Sequence, residues 1–377
     1  MPKSLKPNYR HSVINIPASI LSYAGVRNTY PKSSVLQKAL RKKYKNIVFI
    51  LFDGLGKSIV NKVLDKGDIM RASIKETLHS VFPPTTTAST TTYITCTYPS
   101  EHGWLGWNMY FDSIGQVVDL FTNRESFTQS YLQDYDIREE IPIDTIFHKI
   151  DEKGKYKVTT IYPDSIKGMY KRNLSYRSLK EMFSKINKVI SSDDKNFVFC
   201  YNTSPDDIMH ENGPYSTESA TFVKEVNAKI EEMAKNMEDT LIIICADHGQ
   251  VEIKNRIYLH KYPDIVDMLE VPPYIDLRAV AFKVKEGQKV AFYKLFKKYF
   301  GNEFELHTKE YIQKKKYFGT KSDIVDKYIG DFVAIAYGES IMQYTPRDDG
   351  HLFNFKGHHA GLTREEVEVP LILIGKK

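Results

Sequence analysis

Residues 46–54 read Asn-Ile-Val-Phe-Ile-Leu-Phe-Asp-Gly, a short apolar run that ends on a carboxylate and a glycine. A segment of this length, rich in β-branched and aromatic side chains and apolar on both sides of the pleat, predicts a strand buried on both faces. The pattern returns at 156–162, at 196–201 (NFVFCY), at 240–245 (TLIIIC) and at 369–374 (VPLILI). Between these runs, 178–190 and 217–237 space apolar residues three and four apart with charges opposite, as packed helices do. Ser178 followed by Glu181 reads as a capping box. Strands alternating with helices of this length predict an α/β fold, with a mostly parallel central sheet and helices on both faces.

The 377 residues are 42% hydrophobic and 27% charged, ordinary for a soluble chain. At roughly 150 residues per domain, the length allows two domains or one large domain with an insertion. The stretch 250–345 is rich in Lys, Tyr and Phe, with strand-like pieces at 278–284 and 331–336. It is read as an inserted cap, with 1–249 and 346–377 forming the catalytic part. The excess of 53 Lys and Arg over 47 Asp and Glu is small, and the basic runs at 41–43 and 314–316 read as solvated faces. No nucleic-acid partner is expected. The opening residues lack an apolar signal core and no run of roughly 18 apolar residues occurs, so neither a signal peptide nor a membrane span is expected. Cys96, Cys200 and Cys245 are too few and scattered for a disulfide framework, and a cytoplasmic location is expected.

Ligands of an open parallel sheet bind at the carboxyl ends of its strands, where loops converge and helix N-termini point. Those ends are acidic here: Asp53-Gly54 follows the first run, Asn202 to His210 follows the third, and Ala246-Asp247-His248-Gly249 the fourth. Gly357-His358-His359-Ala360-Gly361 lies just ahead of the last. A single Asp there reads as a helix cap, and a single His as structural. Three Asp and three His on one rim are six nitrogen and oxygen donors, a set that suits two divalent ions of the zinc type. Without cations so many carboxylates would repel one another. The stretch Ser80 to Ser89 (SVFPPTTTAS) adds hydroxyls at the start of a predicted helix running to Tyr93. Such a threonine either caps the helix or, beside metal ions, acts as an oxygen nucleophile.

These pieces resemble the alkaline-phosphatase superfamily, in its nucleotide pyrophosphatase/phosphodiesterase (type I phosphodiesterase) branch. The motifs that carry the resemblance run in the family's order over most of the chain. They are FDG at 52–54, VFPPTT at 81–86, TCTYPSEHG at 95–103, PDDIMHENGP at 205–214, ADHGQ at 246–250 and GHHAGLTREEVEVPL at 357–371. The resemblance implies an alkaline-phosphatase-like fold and two divalent ions, zinc being the expected metal. One would be held by Asp206, His210 and His359, the other by Asp53, Asp247 and His248 with Thr86, the nucleophile, bridging to it. The GxHxG frame selects His359 over His358. Three departures stand out: Met209 where the family usually has Gly, Cys96 where TG usually reads, and Ala360 at the final Gly of GxHG. None is a ligand. The asparagine that helps hold a phosphate oxygen in the eukaryotic-type enzymes falls on Trp107 without a gap, and Asn108, one residue later, is the candidate donor.

The implied activity is hydrolysis of phosphodiester or phosphoric-anhydride bonds in a small phosphate ester, a nucleotide among the candidates. It would proceed through a covalent phospho-threonine, with configuration retained at phosphorus. Two alternatives use the same residues. Phosphonoacetate-type hydrolysis would need cationic or polar groups from 250–345 for a carboxylate, and a phosphomonoesterase would need added donors around a dianionic phosphate. Specificity is expected from 104–110 and from the cap, whose aromatic residues are expected mainly to pack the cap's own core.

Overall fold

The computed structural model describes residues 4–346 and 352–377. Its central sheet has seven strands in the order Ile74–His79, Glu368–Lys376, Thr240–Cys245, Asn46–Phe52, Asn196–Asn202, Lys157–Pro163 and Asn173–Tyr176. All five predicted strands are among them. Every residue of Asn46–Phe52, Asn196–Asn202 and Thr240–Cys245 is buried, so the sheet is covered on both faces. One helical group contains Asn15–Ala24, Ser34–Leu40, Thr86–Thr95 and Ile146–Glu152. The other gathers Lys57–Val63, Leu179–Ile190 and Asp206–Asn212 around the long helix Thr217–Asn236. At the Leu179–Ile190 helix the Ser178 side chain accepts the Glu181 N–H, and Met182, Phe183 and Ile186 are buried. The Glu181 carboxylate reaches back to the Arg177 N–H at 2.8 Å instead of that of Ser178, so the expected capping box is only half formed.

Asn46–Phe52 pairs in parallel with strands on both sides, whereas Glu368–Lys376 runs antiparallel to both of its neighbours. That reversal positions the site. The last strand begins at the rim where the parallel strands end, so the turn at 357–361 reaches the same rim as Asp53, Asp206 and Asp247.

A second sheet is wholly antiparallel, in the order Phe304–Thr308, Phe332–Ala336, Ala279–Phe282, Tyr274–Ile275, Asn108–Phe111, Gln116–Asp119 and Arg124–Glu125. The segment read as the cap therefore supplies only part of this sheet, and the rest comes from 108–125. Strands as short as NMYF and QVVD carry too little periodicity to be recognised alone. Phe282, Phe292, Phe296, Phe300, Phe304 and Phe332 pack together, so much of the aromatic content of 250–345 packs within that stretch. A separate cluster with Phe82, Trp104, Leu105 and Phe111 joins the sheet to the turn ahead of Thr86. Among the described residues, no helix is long and apolar enough to cross a membrane.

Candidate active site

Asp53 leaves the end of its strand into Gly54, whose φ is +71°. A Cβ on Gly54 would stand 2.7 Å from Met209 Cε and 2.9 Å from Asp206 Cβ, so only glycine lets the two acidic turns approach this closely. Asp206 opens the helix Asp206–Asn212, and His210 lies one turn on, on the same face, with Nε2 at 3.0 Å from Asp206 Oδ2. His359 completes this group from the reversed strand's turn. Asp53, Asp247 and His248 form a second group, and within each the donor atoms lie within 4.8 Å of one another. The His248 and His359 rings stack with centroids 3.8 Å apart, which sets the two groups side by side.

The hydrogen bonds around these groups suit cations. Nδ1 lies against a backbone carbonyl in all three histidines, at 2.9 Å from Gly357 O for His210, 3.0 Å from Gly249 O for His248 and 3.2 Å from Pro84 O for His359. With Nδ1–H donated outward, each Nε2 turns a lone pair inward, as metal-ligating histidines do. Asp247 Oδ1 accepts the Gly54 and His248 N–H groups at 3.0 and 2.9 Å, while its buried Oδ2 has no hydrogen-bond partner. A buried carboxylate oxygen left so is costly unless a cation meets it. Burial, and then the charges of Asp247 and Asp206, push the Asp53 carboxyl well above its usual range, and burial raises Asp247 as well. Burial also works against the charge on Asp206, yet His210, His359 and His248 hold it below the usual carboxylate range. Carboxylate and imidazole donors under this mutual repulsion fit two divalent ions.

Thr86 is the first residue of the helix Thr86–Thr95, with Oγ1 3.4 Å from Asp53 Oδ1 and 3.2 Å from His248 Nε2. Its neighbours turn elsewhere: Thr85 Oγ1 donates to Asp276 Oδ2 at 2.8 Å, and Thr87 Oγ1 donates to the Gly106 carbonyl. Of the three consecutive threonines, only Thr86 brings its hydroxyl to the donor groups. The first bonded N–H of this helix is that of Ser89, to Thr85 O at 3.0 Å, and the N–H groups of Thr86, Thr87 and Ala88 meet no acceptor among the described residues.

A cavity of about 800 Å³ opens over Thr86 and both groups. Trp107, Phe121, Phe127, Tyr344, Phe353 and Phe355 give it aromatic walls. Asn108 lines it too, with its Oδ1 taken by the Ile275 N–H at 2.8 Å and its amide nitrogen shared with the Asp119 carboxylate. Among the described residues, the lysine and arginine on the wall are Lys167 and Arg138, and neither belongs to 250–345.

Residues 47–361 match the family model described as type I phosphodiesterase / nucleotide pyrophosphatase. The chain belongs to this family. Murine ectonucleotide pyrophosphatase/phosphodiesterase 5 is similar with a TM-score of 0.61 at 18% identity, over 86% of this chain and 87% of that one. The human protein of that name gives 0.63 at 19% identity, over 87% of each chain. Phosphonoacetate hydrolase from Sinorhizobium meliloti 1021, in complex with phosphonoacetate, gives 0.65 at 16% identity, over 88% of this chain and 90% of that one. No curated protein sequence matches the chain. Likeness at such identities establishes a shared fold. The family match makes this type I phosphodiesterase-family chain a hydrolase of phosphate esters, in a metal-dependent family.

Two of this family member's departures keep the backbone of the residue they replace. Cys96 and Ala360 stand where family glycines are usual and have φ of +58° and +86°, the left-handed region that favours glycine. Sequence reasoning missed several neighbours of the donor groups. The Tyr201 hydroxyl donates to Asp53 Oδ2, and Gln250 Nε2 donates to Asp206 Oδ1 at 2.5 Å. His358 stacks edge-on with His210 at 4.8 Å, with its Nδ1 3.7 Å from Asp276 Oδ1. Tyr201 ends a predicted strand and Gln250 closes the ADHGQ motif, so both carried a signal. Asp276 carried none.

Proposed function

We propose that this chain cleaves phosphodiester or phosphoric-anhydride bonds in two displacement steps, with Thr86 as the nucleophile. The observation that carries the reading is the Thr86 hydroxyl, set against Asp53 and His248 under a cavity of about 800 Å³. Two divalent ions, zinc being expected, would be held by Asp206, His210 and His359 and by Asp53, Asp247 and His248. When bound they supply Lewis-acid charge for the phosphoryl oxygens and lower the pKa of a coordinated hydroxyl. In the first step Thr86 Oγ loses its proton and attacks phosphorus, the Oγ–P bond forms, and the ester oxygen leaves on the opposite side. The unbonded N–H groups of Thr86, Thr87 and Ala88, with the Asn108 amide nitrogen, are the chain's donors for the charge that develops. Water then cleaves the phospho-threonine from the vacated side. Two inversions retain configuration at phosphorus.

Aromatic walls and a volume of about 800 Å³ favour a bulky organic group on the ester, such as a nucleoside. The murine relative has been solved in complex with AMP, which supports a nucleotide substrate. The phosphonoacetate reading needs cationic or polar groups of 250–345 for a carboxylate; among the described residues that stretch brings Tyr274, Asp276 and Tyr344 to the wall but no lysine or arginine, so a cation for the carboxylate would come from Lys167 or Arg138. The division into a catalytic part and a cap that sets specificity belongs to the same proposal. So does a reducing compartment, with which three buried free thiols are compatible.

The test is metal-dependent turnover of bis-p-nitrophenyl phosphate, p-nitrophenyl thymidine monophosphate, p-nitrophenyl phosphate and phosphonoacetate, with Thr86→Ala alongside. The two diesters should be cleaved fastest, and Thr86→Ala should lower their turnover by about a thousandfold or more. Preference for the monoester or for phosphonoacetate, or full diester activity in Thr86→Ala, overturns the reading.

A further inference from the structure

Asp276 belongs to neither donor group, yet it is buried at the cavity wall. The short strand Tyr274–Ile275 of the second sheet delivers it there. Ile275 has φ of +90°, a conformation that a β-branched side chain rarely enters. Its N–H donates to Asn108 Oδ1 at 2.8 Å, and its carbonyl lies so close to Gly106 that a Cβ there would come within 2.7 Å. The strained residue thus stands between two groups that face the cavity, Asn108 behind it and Asp276 ahead.

Asp276 Oδ1 accepts the Leu277 N–H at 2.7 Å, and Oδ2 accepts the Thr85 hydroxyl at 2.8 Å. Thr85 is the N-cap of the helix that begins with Thr86, and its extended backbone, φ −133° and ψ 151°, is the one from which a threonine caps. A threonine so placed ordinarily turns its oxygen to the second or third helical N–H. Here it makes no such bond, and the N–H groups of Thr86, Thr87 and Ala88 stay open beside the nucleophile.

We propose that Asp276 is a positioning residue: by accepting the Thr85 hydroxyl, it keeps the N-cap side chain off the helix and leaves those N–H groups free for a phosphoryl oxygen at Thr86. This rests on the phosphoryl-transfer reading above. The second sheet thereby controls the anion-binding face of a helix that belongs to the first.

The proposal predicts an unusual pattern among variants of the metal-loaded protein. Asp276→Ala releases the Thr85 hydroxyl to cap the helix, and should weaken inorganic-phosphate binding by about tenfold, the scale of one cap interaction, and kcat/KM for the diester similarly. Thr85→Val has no hydroxyl to cap with, so it should stay within about threefold of the parent protein. The double variant should recover most of what Asp276→Ala loses. Asp276→Asn keeps an acceptor for Thr85 and should lie close to the parent. Zinc content and circular dichroism establish which variants are folded and loaded. Wild-type phosphate affinity in folded Asp276→Ala, or a double variant no better than Asp276→Ala, overturns the proposal. Phosphate affinity is read by titration calorimetry without turnover. A predicted affinity pattern alongside diester activity surviving in Thr86→Ala would therefore condemn the nucleophile assignment alone.

Discussion

Arg278 and Glu366 form a two-pronged ion pair, Nε to Oε1 at 2.6 Å and Nη2 to Oε2 at 2.9 Å, with both side chains 0% exposed. Arg278 also donates to Ser340 O at 2.7 Å, while Glu366 accepts the N–H groups of Gly361 and Thr363 and the Thr363 hydroxyl. The pair therefore fastens the second sheet to the turn that carries His359. Arg278→Met leaves a buried carboxylate without its cation and should cost about 3–5 kcal/mol in urea unfolding, with zinc content falling as the turn loosens. The double variant Arg278→Met/Glu366→Leu should regain part of that loss. An unfolding midpoint unchanged in Arg278→Met contradicts the assignment.

Chelation should lower the melting temperature and added zinc should restore it, because Asp53, Asp206 and Asp247 share one buried region. At a hundredfold excess over the dissociation constant, a single bound ion contributes about 2.7 kcal/mol. Asp247→Asn should move the two states in opposite directions, stabilising the chelated protein by removing a repelling charge and weakening the zinc-loaded one. Calorimetry with and without chelator reads both, and shifts of the same sign would speak against a metal at this group.

His102 is buried, its Nδ1 accepts the Trp104 N–H at 3.1 Å and its Nε2 lies 3.0 Å from the Thr92 hydroxyl. Burial lowers the imidazole from 6.5 to about 3. An unfolded histidine therefore takes up a proton at a pH where the native one does not, so its stabilising effect is full above 6.5 and is lost as pH falls towards 3. The loss is about 1.4 kcal/mol per pH unit, or about 2 kcal/mol by about pH 5. His102→Gln should show a shallower acid loss than the parent in urea midpoints taken between about pH 7 and 5. Parallel curves would assign the acid sensitivity to other groups.

Ala360 holds φ of +86° at a buried position, and its N–H donates to Pro84 O at 3.0 Å. Ala360→Gly relieves the left-handed strain without losing that bond and should stabilise by about 1 kcal/mol. Cys96→Gly, at φ +58°, should gain less because a buried thiol is lost as well. A lower melting temperature in Ala360→Gly would show that the methyl group's packing outweighs the strain.

The donor groups were legible because each donor lies on a connection that abuts a strand whose hydrophobicity declares it. Asp53, Asp206 and Asp247 follow runs that are apolar on both faces, and His359 precedes another, so the rim could be drawn before the sheet was known. Thr86 was set apart from Thr85 and Thr87 only through the family resemblance, and it is the one of the three whose hydroxyl faces the donor groups. Asp276 was hidden for the opposite reason. Its strand has two residues, and its partner Thr85 lies 191 positions away, a pairing no local period encodes. The share of the second sheet taken from 108–125 was missed likewise, since four-residue strands acquire their identity from the neighbours they pair with.

The reversed strand Glu368–Lys376 fills an interior place in the central sheet, between Ile74–His79 and Thr240–Cys245. Until it inserts, two strands bare their unpaired edges to each other across a gap one strand wide. Exposed edges of this kind are templates for pairing with other chains. The sheet cannot zip outward from its centre to completion, and closing the gap joins segments far apart in the chain, which makes folding slow. Insertion of this strand also brings His359 to the rim, so the strand that closes the sheet is the one that completes the candidate site.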